Sequence, residues 1–243
     1  MINSARFAEA VNRAGQLRML SPRLIKPYFL QLANVESPQH SQLLADSVLR
    51  IDANIAILTK SLSKATFGDL LASVNTSWAA LGTALKAEPE ASHIAIIDAV
   101  AENLLHEADK LTSGLENAGS ASPLHVINVS GRQRMLSQRF AKYALLMVLG
   151  DSGARVRAEA GLKEAQAAFE QSIDYLNDIP LSTKDIRTAL DSASMQWQPM
   201  LAGAADITRP SGRALTAMSS EGLLDAFERL TEQYERSMQM LVG

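Results

Sequence analysis

Apolar side chains recur along the chain with the three-and-four spacing of a helix. Leu44, Val48, Ile51, Ile55, Leu58 and Leu62 step by 4, 3, 4, 3 and 4 residues, which puts them on one stripe of a helix packed at a shallow angle in a bundle. Ile97, Val100, Leu104, Ala108, Leu111 and Leu115 keep similar spacing, as do Leu162, Ala165, Phe169, Ile173 and Leu176, and then Leu223, Phe227, Leu230, Tyr234 and Met238. No segment alternates as a half-buried strand would. Ser37-Pro38 and Ser122-Pro123 place a capping hydroxyl before a proline at the first helical position, while Gly119 and Gly150 stand where helices should stop. The pattern predicts eight helices, near 3–34, 37–63, 66–88, 90–118, 123–149, 152–178, 182–206 and 210–241.

The pattern also repeats. Asn12–Lys26 (NRAGQLRMLSPRLIK) and Asn128–Lys142 (NVSGRQRMLSQRFAK), 116 residues apart, are identical at 8 of 15 positions. Trp78 and Trp197 fall on corresponding third helices at an offset of 119, and the second-helix seams superpose at 114. The chain therefore reads as a duplicated four-helix unit. The expected fold class is all-α, two tandem antiparallel four-helix bundles over 1–120 and 121–243 that pair about a pseudo-two-fold axis.

Composition narrows the chemistry. Of 243 residues, 47% are apolar and 20% charged, the balance of a folded chain with a core. The absence of cysteine excludes disulfides, thiolate metal sites and cysteine nucleophiles. The longest stretch without Asp, Glu, Lys or Arg is Leu70–Leu85, 16 residues broken by polar side chains, short of the roughly 18 apolar residues of a membrane span. No signal peptide is visible after Met1. His40, His93, His106 and His125 are scattered; Glu102 and His106 at i, i+4 give only a weak di-metal hint. Nucleophile elbows, phosphate-cradling glycine loops and dinucleotide fingerprints are absent, so no catalysis and no cofactor are expected. Net charge is −3 and aromatics are 5% and not interleaved with the basic residues, which argues against nucleic acid. The methionines, including Met195, Met200, Met218, Met238 and Met240, read as core filler.

Charge is unevenly placed. Between Glu9 and Glu36 the only charges are Arg13, Arg18, Arg23 and Lys26, and between Glu116 and Asp151 they are Arg132, Arg134, Arg139 and Lys142. Two cationic helices in an acidic protein suggest an anion site. Arg13 and Arg132, which are not shared between the repeats, read as partners of carboxylates on neighbouring helices. Arg18 and Arg134 each follow a glycine by three residues, Gly15 and Gly131. A mid-helix glycine costs about 1 kcal/mol relative to alanine, so its presence in both copies marks a close approach of backbone or ligand, on the same face as the arginine.

The strings NRAGQLRMLSPRL and NVSGRQRMLSQRF resemble the signature box of the PilJ-type sensor domain of type IV pilus chemotaxis transducers, which is similar to the periplasmic sensor domain of nitrate/nitrite sensor kinases. The order of helices and the third-helix tryptophan extend the likeness over both halves. The resemblance implies a four-helix-bundle sensor outside the cytoplasmic membrane that binds nitrate, or nitrite more weakly, between two first helices through the arginine preceding the methionine. Carried onto this chain, the anion-binding residues are Arg18 and Arg134 beside Gly15 and Gly131. Asn12, Asn128, Met19, Met135, Ser21, Ser137, Arg23 and Arg139 support the box, the last two as partners of carboxylates.

In a single chain the implied site lies where helices 1 and 5 cross. Two guanidinium groups 4 Å apart repel by about 4 kcal/mol at an effective dielectric near 20, and a monovalent oxyanion replaces that repulsion with two charge-assisted contacts. Binding would draw the helices together, and the displacement would be passed to a signalling partner protein. The reading requires the two guanidiniums to converge without each being neutralised by a carboxylate. Pro22, where the second copy has Gln138, and Pro27 predict a kink after Arg18; this either reshapes the pocket or leaves Arg134 to bind alone. The competing reading is a helical adaptor that signals through protein contacts and has no small ligand.

Overall fold

The computed structural model describes residues 4–35, 39–119, 122–179 and 183–242, with side chains over 7–35, 39–119, 124–179 and 183–237. The described residues form eight α-helices and no strand: α1 (Ser4–Leu32), α2 (Gln39–Ser61), α3 (Lys64–Ala84), α4 (Ile94–Gly119), α5 (Ser122–Leu149), α6 (Ser152–Asp178), α7 (Lys184–Ala205) and α8 (Pro210–Val242).

Local chemistry sets several of the ends. Asn34 takes φ 55°, and its neighbour Val35 donates its amide back to the Leu30 carbonyl at 2.9 Å, the left-handed closure that asparagine tolerates at a helix end. The Asp151 carboxylate accepts from the Ala154 amide at 2.7 Å and the Thr183 hydroxyl from Ile186 at 3.2 Å, capping α6 and α7. The Ser37-Pro38 cap lies outside the described residues, and α5 opens at Ser122 with Pro123 in its first turn.

One connection differs from the sequence pattern. Helix α3 stops at Ala84 instead of running to 88, and a single tight turn, Ala91–His93, precedes α4 at Ile94. Pro89 biases the residue before it away from helical geometry. The freed backbone is satisfied from α1: the Tyr28 hydroxyl donates to the Glu88 carbonyl at 3.1 Å and accepts from the Glu90 amide at 2.9 Å.

The helices divide into inner and outer sets. In each half the first helix packs on the second and fourth and the third packs on the fourth, while α1 and α5 make the most extensive helix contact in the molecule. The inner helices have little wet face; Leu17 to Pro22 are consecutively buried on α1, and Arg134 to Gln138 on α5. A helix covered on nearly every side needs apolar residues all round, as Leu17, Met19, Leu20, Leu24, Ile25 and Phe29 supply. This cover also explains Pro22 and Pro27. Each removes one intrahelical bond, yet α1 continues through both, enclosed by α2, α4, α5 and α8.

The outer helices carry the predicted stripes. Ile51, Ile55, Leu58 and Leu62 are buried, as are Leu104, Ala108, Leu111 and Leu115. The methionines depart from expectation. Met19, Met135 and Met200 are buried, but Met195 and Met218 are 69% and 71% exposed, because they stand on the outward faces of α7 and α8; the side chains of Met238 and Met240 lie outside the described set.

The repeated tryptophans are not packed alike. Trp197 stacks on Phe169 at a centroid distance of 4.0 Å and meets Phe140 edge-on at 4.9 Å, whereas Trp78 is half-buried and donates to Asp52 at 2.8 Å. Truncating a buried tryptophan removes large apolar area and leaves a cavity. Trp197→Ala is therefore predicted to cost about 3–5 kcal/mol and Trp78→Ala clearly less, measured by urea unfolding of the two variants side by side.

Candidate functional site

The α1/α5 crossing gathers the repeated box residues of both halves. Arg18 and Arg134 are 1% and 0% exposed. A Cβ added to Gly15 would lie 3.3 Å from Arg18 Nη2 and 3.6 Å from Arg134 Nη2, so the two guanidiniums converge over that glycine. At Gly131 a Cβ would stand 2.9 Å from Arg134 Nη2. The close approach inferred for both glycines is thus made by the arginine one turn later, folded back across the helix.

Each guanidinium is held by the opposite half. Arg18 Nη2 donates to Asn128 Oδ1 at 2.6 Å, and Arg134 Nη2 donates to Asn12 Oδ1 at 2.8 Å. The Asn12 amide donates in turn to Glu235 on α8 at 2.8 Å, and the Asn128 amide donates to Glu116 on α4. Two arginine–asparagine–glutamate chains therefore cross the interface in opposite directions, the contact pattern of a pseudo-two-fold axis. Hydrogen bonds linked in series polarise one another.

The carboxylates break the balance. Arg18 Nη1 pairs with Asp109 on α4 at 2.7 Å, but Arg134 Nη1 is 3.6 Å from Glu228 on α8. Glu228 is drawn instead to Arg50 at 2.6 Å and to Gln16 at 3.1 Å. The expectation that neither arginine has a carboxylate partner is corrected for both, closely for Arg18, where the fourth helix brings Asp109 alongside, and at longer range for Arg134, which faces Glu228. Arg18 Nε and Arg134 Nη1 remain buried without a hydrogen-bond partner. Burial lowers the pKa of both groups, Arg134 to about 10, with Glu228 opposing the shift and Arg18 adding to it.

Two turns further on, a second pair of clusters takes the remaining cations. Arg23 pairs with Glu221 at 2.7 Å and Arg139 with Glu102 at 3.0 Å. Lys26, 1% exposed, reaches Glu221 at 2.5 Å, and Lys142, 0% exposed, reaches Asp98 at 2.7 Å and Glu102 at 2.5 Å. Most of the cations that read as unpaired are thus neutralised by α4 or α8. Arg13 pairs with Glu9 on its own helix; Arg132 is exposed and has no such partner among the ion pairs of the described residues. Glu102, half of the di-metal hint with His106, is occupied by Arg139 and Lys142, and no cluster of metal-binding side chains occurs among the described residues.

The smaller box residues hold the helices together. Met19 and Met135 are buried in the core. The Ser21 hydroxyl donates to the Ala101 carbonyl on α4, and that of Ser137 donates to the Arg134 carbonyl at 2.9 Å. Buried Lys26 and Lys142, and all the acidic partners, were not assigned from sequence. A signal existed: the two lysines are 116 apart, and Glu102/Glu221, Asp109/Glu228 and Glu116/Glu235 are each 119 apart, the same offset as the tryptophans.

Beside Arg23 and Lys26 the Glu221 carboxyl titrates at about 2, the two cations outweighing the upward push of burial. A carboxyl whose folded pKa is depressed contributes stability above its unfolded pKa and loses it as pH falls through the folded value. Glu221 is therefore predicted to support the fold fully above roughly pH 5 and to lose that support progressively towards pH 2. The Tm of Glu221→Gln should fall less steeply than the parent's across this acid limb.

The family model described as type IV pili methyl-accepting chemotaxis transducer N-term matches residues 3–110 and again residues 117–239. No curated protein and no solved structure matches the chain. No described helix is long and apolar enough to cross a membrane. With two matches that together span nearly all of its length, the chain belongs to this PilJ family of sensor domains and carries the domain in tandem.

Proposed function

We propose that the chain is a non-enzymatic receptor for a small inorganic oxyanion, nitrate first and nitrite second, bound where α1 and α5 cross. The observation that carries this reading is the convergence of Arg18 and Arg134, both buried, with one guanidinium nitrogen of each left without a hydrogen-bond partner. Buried polar groups are ordinarily satisfied, and of these two mutually repelling cations only Arg18 has a carboxylate in close contact. A planar oxyanion accepts from both guanidiniums in the flat geometry they favour.

The signal follows from the same contacts. Arg18 is tied to α4 through Asp109 and Arg134 faces α8 through Glu228. An anion that takes hold of both arginines shifts their bonding from the fourth helices to the partner unit's first helix. Displacement of the first against the fourth helix of each unit would then be read by a signalling partner. The family relationship supports a place outside the cytoplasmic membrane.

The test is a melting curve at constant ionic strength with nitrate, nitrite, chloride or sulfate. A ligand that binds only the folded state raises Tm, so millimolar nitrate is predicted to raise it and chloride to leave it unchanged. Arg134→Met, which keeps the side chain's length and removes a buried charge, should remain folded and lose the nitrate shift; Arg18→Met should do the same. The same Tm in all four anions would overturn the receptor reading in favour of a helical adaptor.

A further inference from the structure

We propose that Asp109 and Glu228 are the charge-selecting groups of the α1/α5 site, internal counter-anions that admit a planar monovalent oxyanion and refuse a divalent one. The inference rests on the oxyanion reading above. Asp109 and Glu228 lie 119 residues apart in sequence, at corresponding points of α4 and α8. Each faces the arginine of its own half, Asp109 at 2.7 Å from Arg18 and Glu228 at 3.6 Å from Arg134.

Their presence sets the charge that a guest can carry. Two guanidiniums and two carboxylates sum to zero, so a monovalent guest leaves the group at −1 and a divalent one at −2. The nearest further groups leave this balance unchanged: Glu116 and Glu235 sit behind Asn128 and Asn12, against Arg50 on Glu228 and Arg132 near Arg18. The cost of net charge in a poorly solvated site grows roughly as its square, so the divalent guest is disfavoured far more than the monovalent one. The supply of donors points the same way. Arg18 commits Nη1 to Asp109 and Nη2 to Asn128, and Arg134 commits Nη2 to Asn12 and Nε to the Gly131 carbonyl. One nitrogen on each, Arg18 Nε and Arg134 Nη1, makes no hydrogen bond, which offers a small planar ion one open donor from either side.

The two carboxylates act unequally. Glu228 is held away from Arg134 by Arg50 and Gln16, so Arg134 is the half that a guest engages first. Asp109 is 45% exposed; it can turn to water when a guest competes for Arg18.

The experiment is calorimetric titration of the full chain with nitrate and with sulfate, for the parent and for Asp109→Asn/Glu228→Gln, which keeps the size of both side chains and an oxygen acceptor at each. The parent should bind nitrate and not sulfate, and the double variant should bind sulfate with the nitrate preference reduced at least tenfold. Should the double variant unfold, Asp109→Asn alone, at the half-exposed position, takes its place, and the nitrate preference should fall at least threefold. If the parent binds nitrate and the variants keep the same nitrate-to-sulfate ratio, charge selection by these carboxylates is wrong and the receptor reading stands. If the parent binds neither anion, both ideas fall.

Discussion

Two guanidinium groups buried against each other at a helix crossing are the constraint around which this protein is arranged. Like charges in a dry core are unfavourable unless compensated, and the compensation here comes from four helices. Asn12 and Asn128 hold the arginine of the opposite half, Asp109 and Glu228 approach from α4 and α8, and Gly15 and Gly131 clear the space over which the planar groups fold. A Cβ at Gly15 would press on Arg18 and one at Gly131 on Arg134. The mid-helix glycines, weak by helix propensity, thus follow from the arginines.

Duplication within one chain lets the two sides of the axis diverge. Where α1 has Gln16, α5 has Arg132, and where α1 has Pro22, α5 has Gln138. The consequences are visible in the contacts. Gln16 helps to hold Glu228 off Arg134, while Gln138 accepts from Lys26 at 2.8 Å and donates to the Ser220 carbonyl at 2.7 Å. Pro22 offers no side-chain group in return, and Lys142 takes Asp98 as well as Glu102. Identical subunits paired about a true two-fold could not adopt this inequality between their halves. The inequality between one tightly paired and one loosely paired arginine therefore follows from the divergence of the two copies.

Helix number, helix register and the duplication were legible in the sequence because they rest on spacing, and the buried seams at Ile51, Leu58, Leu104 and Leu111 follow it closely. Arg18 and Arg134 were legible because they recur beside glycine in an acid-free run. What spacing alone does not give is which helices end up enclosed. Reading α1 and α5 as ordinary bundle helices with a wet face made their cations look free, whereas enclosure by neighbours forces those charges inward onto α4 and α8. The exposed Met195 and Met218 reflect the converse: helical spacing marks a stripe but does not say whether it meets a neighbour. The shortened α3 was foreshadowed by Pro89, but its capture by the Tyr28 hydroxyl depends on a contact more than 60 residues away in sequence.

The central claim is that both halves contribute to one site, and the stoichiometry of binding tests it most directly. Calorimetric titration of the purified full chain with nitrate is predicted to give one ion per chain, because the guest needs Arg18 and Arg134 together. Two ions per chain, one for each repeat, would contradict a shared site, and the absence of any binding would contradict the receptor itself.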